Sequence, residues 1–246
     1  AGGGGANVGR SMAGQPVEPE KGEMVTAGVG AEIFNDYRTR IYSSYGVISA
    51  GNIASGDYSH AEGFCTTAPG KHSHAEGERT QASGNYSHAE GNFSKAVDKS
   101  SHAEGEYTTA SGSCSHAEGY NTTASGKHSH AEGERAQASG DYSHAEGSAT
   151  TASGDYSHAG GYNTTASGDW SYAHGHSATA SGNNSHAEGY RAEASGHSSF
   201  AMGADTIAHY GEFVIGFSNV ESKNSDVSGN QTTQTIFIVG NGSSLN

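Results

Sequence analysis

The sequence has few of the residues that usually build a hydrophobic core. Only 32% of its 246 residues are hydrophobic, and much of that fraction is alanine. Leu, Ile, Val and Phe are far scarcer than in an ordinary globular domain, so the chain cannot fill a core in the usual way. No stretch is apolar enough to cross a bilayer, which argues against insertion into a membrane.

Basic residues are also scarce. The 12 Lys and Arg residues stand against 26 Asp and Glu residues, which gives a formal net charge of −14. An excess of negative charge disfavours binding to nucleic acid and to anionic membranes. There are two cysteines, and they do not have the spacing of a metal site.

One short motif is present in abundance. SHAEG first occurs at residues 59–63 and returns every 14 residues, with Tyr172 and Phe200 later replacing its His. A second motif, TTASG, keeps step with the first, and its Ala recurs from Ala54 to Ala208. The regular region therefore extends from about residue 45 to residue 210. A short repeat of fixed period is typical of a solenoid with one coil per repeat.

Each repeat predicts two short strands and two tight turns. Gly, Ser and Thr dominate and no 3.6-residue period is present, so a helix is disfavoured. Alternation along a strand places Ser59 and Ala61 on one side and the His and Glu of the motif on the other. Two strands that close within 14 residues leave room only for small side chains, so His and Glu should point outward. The fold class predicted is all-β, a parallel solenoid.

The outward Glu residues create an electrostatic problem. Successive coils lie about 4.8 Å apart, so these carboxylates would form a column of like charges. A coil without a core also needs oligomerisation for stability. Both problems are solved if several chains pack their His/Glu faces around one axis and each Glu meets a His of a neighbour. We therefore predict an axial ladder of His60, Glu62, His74, Glu76, His88, Glu90, His102, Glu104, His116, Glu118, His130, Glu132, His144, Glu146, His186 and Glu188.

Two opposing effects would act on the protons of this ladder. Charged pairing would raise the pKa of His and lower that of Glu, whereas desolvation would favour the neutral form of both. His and carboxylate side chains are also legitimate metal ligands and acid–base catalysts, but such sites are usually singular. The His/Glu pair recurs in eight places. We therefore predict no catalytic, metal-binding or cofactor-binding residues.

The two motifs resemble the head repeats of trimeric autotransporter adhesins of the YadA type. Those repeats read roughly S-V-A-I-G followed by A-x-A-x-G, and SFAMG at Ser199–Gly203 is close to that form. In SHAEG the apolar pair is replaced by His and Glu. The resemblance covers about two-thirds of the chain. It implies a left-handed parallel β-roll of three chains around one axis, and so a homotrimer.

A narrower resemblance concerns GAEIFNDY, which leads to IASGDYSHAEG, and TIFIVGNGSS near the end. These segments resemble Gram-positive phage and prophage tail or appendage proteins. The resemblance implies a non-enzymatic spacer in a virion, assembled in the cytoplasm, whose partner would be a host-surface glycan or protein. The alternative is a bacterial cell-surface or secreted adhesin head of the same fold. A glycan-degrading tailspike is disfavoured, because the repeats contain no singular carboxylate pocket.

The period divides the chain into three parts, residues 1–44, 45–210 and 211–246. The first part begins with a glycine-rich linker and continues into a segment that could cap the first coil. The last part contains two apolar strands, EFVIG and IFIVG, on either side of a polar loop. There the axial positions become apolar. We predict that they lock the trimer through Phe200, Met202, Phe213, Ile215, Phe237 and Val239.

Aromatic residues recur two positions before the motif His. Aligned rings most often pack across coils, but they can also stack on glycan rings. The candidate glycan contacts are Tyr58, Tyr86, Tyr142, Tyr156 and Trp170. Cys65 and Cys114 are 49 residues apart, or three and a half coils. At about 4.8 Å per coil they are near 17 Å apart, beyond disulfide reach, so both are predicted to be free thiols.

Overall fold

The computed structural model describes residues 51–218 and the backbone of four further strands at 24–26, 32–34, 39–40 and 237–241. The glycine-rich start, the side chains of the expected N-terminal cap and the polar loop at 219–236 lie outside the described residues. Every regular element in the described ranges is a strand. The same ranges contain no helix with the length and hydropathy needed to span a membrane.

Each coil contributes one long and one short strand, joined by two turns. The long strands carry the His/Glu motif or its variants and are β5 (Ser59–Phe64), β7 (His74–Glu78), β9 (His88–Asn92), β11 (His102–Glu106), β13 (His116–Tyr120), β15 (His130–Glu134), β17 (His144–Ser148), β19 (His158–Tyr162), β21 (Tyr172–His176), β23 (His186–Tyr190), β25 (Phe200–Ala204), β27 (Phe213–Phe217) and β28 (Phe237–Asn241). The short strands are β4 (Ile53–Ala54), β6 (Thr67–Ala68), β8 (Gln81–Ala82), β10 (Lys95–Ala96), β12 (Thr109–Ala110), β14 (Thr123–Ala124), β16 (Gln137–Ala138), β18 (Thr151–Ala152), β20 (Thr165–Ala166), β22 (Thr179–Ala180), β24 (Glu193–Ala194) and β26 (Ile207–Ala208).

The strands stack into two parallel sheets that follow the solenoid. One sheet has 12 short strands in the order β4 to β26, and the other has 14 strands that end in β28. Equivalent residues of successive coils face each other, as His102 faces His116 and Ala103 faces Ala117. The predicted all-β parallel solenoid of 14-residue coils is confirmed.

Alanine fills the space between the two sheets. Ala103 of a long strand and Ala110 of the following short strand are both fully buried, as are their equivalents along the solenoid. Small hydroxyl residues such as Thr108 complete the interior, and Val214 is the largest fully buried side chain. The motif Ser and Ala point inward while His and Glu remain partly exposed, as the alternation predicted.

Glycine sets how closely successive coils approach. Gly63 has a φ of 108°, in a region that favours glycine, and a Cβ at this position would overlap the carbonyl oxygen of Gly77 in the next coil. The equivalent glycine recurs in each following coil up to Gly203 with the same clash. This column of glycines therefore allows the coils to stack at ordinary strand spacing.

Each coil also places two non-glycine residues in the left-handed region, one in each turn. The first column begins at Tyr58, with φ of 58°, and the second at Cys65, with φ of 55°. This conformation costs a residue with a Cβ about 1–2 kcal/mol, and Asn tolerates it better. The candidate glycan-contact aromatics and both cysteines occupy these turns.

The ends of the long sheet depart from the 14-residue spacing. At the start, β3 (Thr39–Arg40) pairs in parallel with β5, so the sheet begins before residue 45. Ahead of it, β1 (Met24–Thr26) and β2 (Glu32–Phe34) form an antiparallel pair. At the other end, Phe213 pairs with Phe200 after 13 residues, and β28 pairs with β27 so that Phe237 faces Phe213. The side chains of Phe237 and Val239 lie outside the described residues.

Replacing Ala149 tests the cost of the left-handed turns. Ala149 has φ of 57°, and Asn163 occupies the equivalent position one coil later at φ of 52°. We expect Ala149→Asn to raise the thermal midpoint, because Asn relieves backbone strain without the entropy cost of Gly. Ala149→Val should lower the midpoint, because a β-branched residue is disfavoured there. Circular dichroism melting of both variants would check this, and a midpoint order of Val above Asn would contradict it.

Candidate functional site

A continuous column of aromatic rings runs along the outward face of the long sheet. From His60 to His144, adjacent imidazole centroids are 4.7–4.9 Å apart and the ring planes are within 11° of parallel. The column continues through Tyr172 and His186 to Phe200 and Phe213. Parallel register forces this arrangement, because identical side chains leave the backbone at the spacing of neighbouring strands.

A column of carboxylates lies beside the rings. In six long strands the His Nε2 atom is 3.7–4.0 Å from an oxygen of the Glu two residues later. His116 is also 3.9 Å from Glu104 of the preceding coil. These separations allow electrostatic attraction but are too long for a hydrogen bond. His and Glu therefore lie side by side within one chain at distances that leave their hydrogen-bonding capacity unused, and the pairing between neighbouring chains remains a prediction.

The imidazole Nε2 atoms in the middle coils of the solenoid are buried without a hydrogen-bond partner. About a third of each imidazole side chain is exposed, but the Nε2 atom itself is covered. A buried polar atom without a partner costs roughly 1–3 kcal/mol, so such atoms are rare in stable structures. Among the described residues the nitrogens concerned include those of His74, His88, His102, His116, His130 and His144.

Burial determines the protonation of this column. It lowers the pKa of His74, His88, His116 and His144 below the usual value, and neighbouring imidazoles lower it further. The adjacent carboxylates act in the opposite direction but are the weaker influence. Charged pairing and desolvation act on the His pKa in opposite directions, and desolvation is the stronger of the two at these four residues. A raised His pKa, which a charged ladder would have required, is not found at these four residues.

The pKa values of two neighbouring carboxyl groups in the Glu column, Glu76 and Glu90, shift in opposite directions. A hydrogen bond with Glu90, together with burial, raises the pKa of Glu76 to about 7. Hydrogen bonds from Glu104 and Glu76 lower the pKa of Glu90. A protonated Glu76 can thus donate to an ionised Glu90, which reduces the like-charge repulsion that the sequence predicted for this column.

The repeat changes at Gly160, which occupies the position of the motif Glu. The space is taken by neighbouring side chains, because a Cβ at Gly160 would meet the His174 ring at 2.7 Å and the Glu146 carboxylate at 3.0 Å. Glu146 approaches His158 to 3.3 Å there, which is closer than the pairs of the middle rungs. After this rung the face becomes mixed and then apolar, with Tyr172 and His174 followed later by Phe200 and Met202.

A groove of about 1140 Å³ follows the Glu column. Its walls carry the carboxylates from Glu62 to Glu146, and the glycines from Gly63 to Gly161 contribute bare backbone. The groove spans the same coils as the buried ring nitrogens. It therefore offers room for side chains that approach the His/Glu face from outside the chain.

Clusters of metal-type ligands also follow the repeat. Five groups of three side chains have ligand atoms within 4.8 Å of one another, such as His102, Glu104 and His116. His116 belongs to two of these groups. The groups are overlapping copies of one motif among the described residues, so none of them is set apart as a single metal centre.

The turn aromatics form stacks as well. Tyr58, His72 and Tyr86 make one run with centroid separations of 4.9 and 5.0 Å. His128, Tyr142, Tyr156 and Trp170 make a second run of four rings. The recurrence of aromatic residues in the sequence predicts the Tyr and Trp members of these runs. His72 and His128 share the position two before the motif His and were not predicted.

A second aromatic cluster lies at the other turn and was missed from the sequence. The guanidinium carbon of Arg79 is 5.6 Å from the Phe64 ring centroid and 5.1 Å from that of Phe93. Phe93 in turn stacks on Tyr107 at 5.1 Å. The signal available in the sequence was the 14-residue separation of Arg79 from Phe93. Cys65 belongs to this turn column, and both Cys65 and Cys114 are free thiols, as predicted.

Comparison with protein families matches the YadA head domain repeat at residues 103–129, 117–136, 159–185, 173–192 and 187–206. The matched segments contain the same alternation of long and short strands that the structure shows throughout. The matched coils are YadA-type head repeats. YadA head repeats form structural modules of trimeric, adhesin-like fibres at the cell surface and are generally non-enzymatic. No curated protein matches the chain.

The pKa shifts predict how stability depends on pH. A His whose folded pKa is lowered stabilises the protein fully above the unfolded value of about 6.5, and this contribution is lost as pH falls through the folded pKa. The raised Glu76 acts oppositely, since its contribution is complete below pH 4.5 and is lost as pH rises through about 7. The four His residues should make the thermal midpoint fall between pH 7 and pH 5, and Glu76 opposes this fall.

Paired substitutions would check this assignment. His116→Phe combined with His144→Phe should reduce the fall in midpoint between pH 7 and pH 5, because two depressed His groups are removed. The matched control introduces the same ring at an exposed turn without removing a His, and this variant, Ser100→Phe, should leave the fall unchanged. A midpoint that peaks in mildly acid solution would instead indicate a charged ladder.

Proposed function

We propose that this chain is a non-enzymatic homotrimeric fibre module of a phage or phage-like tail or appendage. In this role it is a rigid spacer that also contributes to recognition of the host surface. The observation that carries the proposal is the row of buried, unpartnered ring nitrogens beside an open carboxylate groove. Such a face is incomplete on one chain and is suited to contact with identical chains.

Three-fold symmetry supplies the missing partners. Around a common axis, each rung of one chain lies at the same height as the equivalent rungs of the other two. Once the ring turns to expose Nε2–H, a carboxylate from a neighbouring chain can accept its hydrogen bond, which removes the cost of the unpartnered nitrogen. The ladder from His60 to Glu188 is in this proposal the trimer axis.

The apolar end is proposed to lock the trimer. Phe200 stacks on Phe213 at 4.5 Å, and the pairing of β25 with β27 places Met202 beside Ile215. The register of β28 places Phe237 and Val239 at the positions equivalent to Phe213 and Ile215. Three copies of these rungs would make an apolar plug, which gains stability from burial where the His/Glu ladder gains little.

The virion context rests on the likeness of the segments around residues 31–63 and 235–244 to phage and prophage appendage proteins. A stiff solenoid with an Ala interior suits a spacer, because its length depends only on the number of coils. The alternative is a bacterial cell-surface or secreted adhesin head, which the match to the YadA head repeat favours. Tail genes beside the gene would support the first context, and a membrane anchor or export signal in the same reading frame would support the second.

The mass of the purified protein tests the trimer. Native mass spectrometry should give three times the chain mass of 25.0 kDa, about 75 kDa. The double variant Glu104→Lys with Glu118→Lys should shift the population toward the monomer, because six added cations would meet at the proposed axis.

Lys substitutions at two positions of the opposite sheet serve as the control. Thr109→Lys with Thr123→Lys should remain trimeric, since Lys95 already occupies the equivalent position of the neighbouring short strand. A monomer mass for the unmodified protein with retained β structure would overturn the proposal. Equal dissociation of the two double variants would show that the His/Glu face is not the axis.

A further inference from the structure

The column of turn residues that begins at Tyr58 contains runs of aromatic rings separated by gaps. At a gap, the ring that ends a run has no neighbouring ring on one of its faces. After Tyr86 the next two positions are Ser100 and Cys114, and after Trp170 they are Asn184 and Ser198. Rings inside a run are covered on both sides, as Tyr156 lies between Tyr142 at 4.9 Å and Trp170 at 5.5 Å. Only the rings that end a run have a face available to a ligand.

Trp170 is the largest ring in such a terminal position. It lies nearly parallel to Tyr156, with an interplanar angle of 5°, and no other ring contact is found for it in the described chain. The side chain is 58% exposed. Tyr156 therefore fixes the orientation of the indole, so its other face is a flat apolar platform directed toward the coil of Asn184.

The surroundings of this platform are polar and uncharged on one side and acidic on the other. Asn183 and Asn184 are exposed in the next coil, and Asn183 Oδ1 accepts a hydrogen bond from the Asp169 backbone N–H at 3.2 Å. Asp155 and Asp169 follow the same turn below the indole, and Asp155 N–H donates to Asp169 Oδ1 at 3.1 Å. A flat apolar face beside amide groups matches a sugar ring, which presents C–H bonds on one face and hydroxyl groups at its edge.

The charge excludes one class of sugar. The chain has a net charge of −14, and the neighbouring Asp side chains add local negative potential. An anionic sugar would be repelled here, whereas a neutral one would not. The gap after Tyr86 is less suitable for binding a sugar, because the next coil places Lys99 and Ser100 there and neither has an amide side chain.

We propose that the face of Trp170 directed toward Asn184 binds one ring of a neutral oligosaccharide. Asn183 and Asn184 hydrogen-bond its hydroxyl groups. The site rests on the proposed role in host-surface recognition and gives that role a ligand class. It does not depend on the virion context, and it repeats three times if the chain is a trimer.

The protein contains one Trp, so Trp emission excited at a wavelength that Tyr does not absorb reports on this position alone. The assembled protein would be titrated with the β-1,4-linked trimer of N-acetylglucosamine, with cellotriose and with maltotriose, and with sialyllactose as the anionic probe. We expect a saturable change in Trp emission with at least one neutral probe and none with sialyllactose. Acrylamide quenching of the unliganded protein should be efficient, and an inaccessible Trp would overturn the proposal.

Two variants test whether the exposed face of Trp170, and not the rest of the ring stack, binds the sugar. Trp170→Ala removes the platform, and Asn184→Tyr covers it by adding a ring at φ of 56°, a conformation that Tyr156 already adopts at 58°. Both should weaken binding at least about fivefold by calorimetry, as expected for the loss of one aromatic contact. Ser100→Tyr, the same kind of change at the other gap, is the control and should leave binding within about twofold of the unmodified protein.

The outcomes are distinct from those that test the trimer. No saturable response to any neutral probe, stronger binding of sialyllactose, or unchanged affinity in both Trp170→Ala and Asn184→Tyr would each overturn the sugar site. Native mass spectrometry of the same samples reports the oligomeric state independently. A trimer without sugar binding would leave the proposed module intact and remove this site alone.

Discussion

The interior of a 14-residue coil has room only for small side chains, and the rest of the structure depends on this packing limit. Alanine fills the space between the two sheets, with Ser and Thr beside it, and Val214 is the largest side chain fully enclosed. A core this thin buries little apolar surface per residue. The larger side chains therefore lie outside, on the His/Glu face and at the turns, where they are available for contact with other molecules.

Exact repetition turns each outward position into a column. Rings at one position stack on the rings above and below, because the strand spacing is close to the preferred separation of offset aromatic pairs. The same spacing brings carboxylates together, where Glu76 and Glu90 moderate the repulsion by sharing a proton. Burial lowers the pKa of His74, His88, His116 and His144, which favours their neutral form. Neutral rings at these coils reduce the electrostatic cost of bringing copies of this face together.

The departures from the repeat are as informative as the repeat itself. Gly160 interrupts the carboxylate column, and the rungs beyond it change from His and Glu to Tyr172 and finally to Phe200 and Phe213. The face thus has a polar half and an apolar end. At the turns, small residues after Tyr86 and Trp170 interrupt the ring stacks and expose the terminal faces. A strictly uniform repeat would offer neither an apolar end nor a uniquely placed ring face.

The sequence alone determined the period, the strands, the two faces of each coil and the burial of alanine. These features follow from alternation and from the volume that 14 residues can enclose, so residue spacing is sufficient to predict them. The separation of Cys65 from Cys114 was predictable for the same reason. Only the tertiary structure decided the protonation of the ladder, because the balance between desolvation of His116 and attraction to Glu118 depends on atomic distances and burial. It also decided which aromatic faces are covered. Spacing predicts that Tyr156 and Trp170 are neighbours, but ring orientation depends on how the left-handed turns direct their side chains.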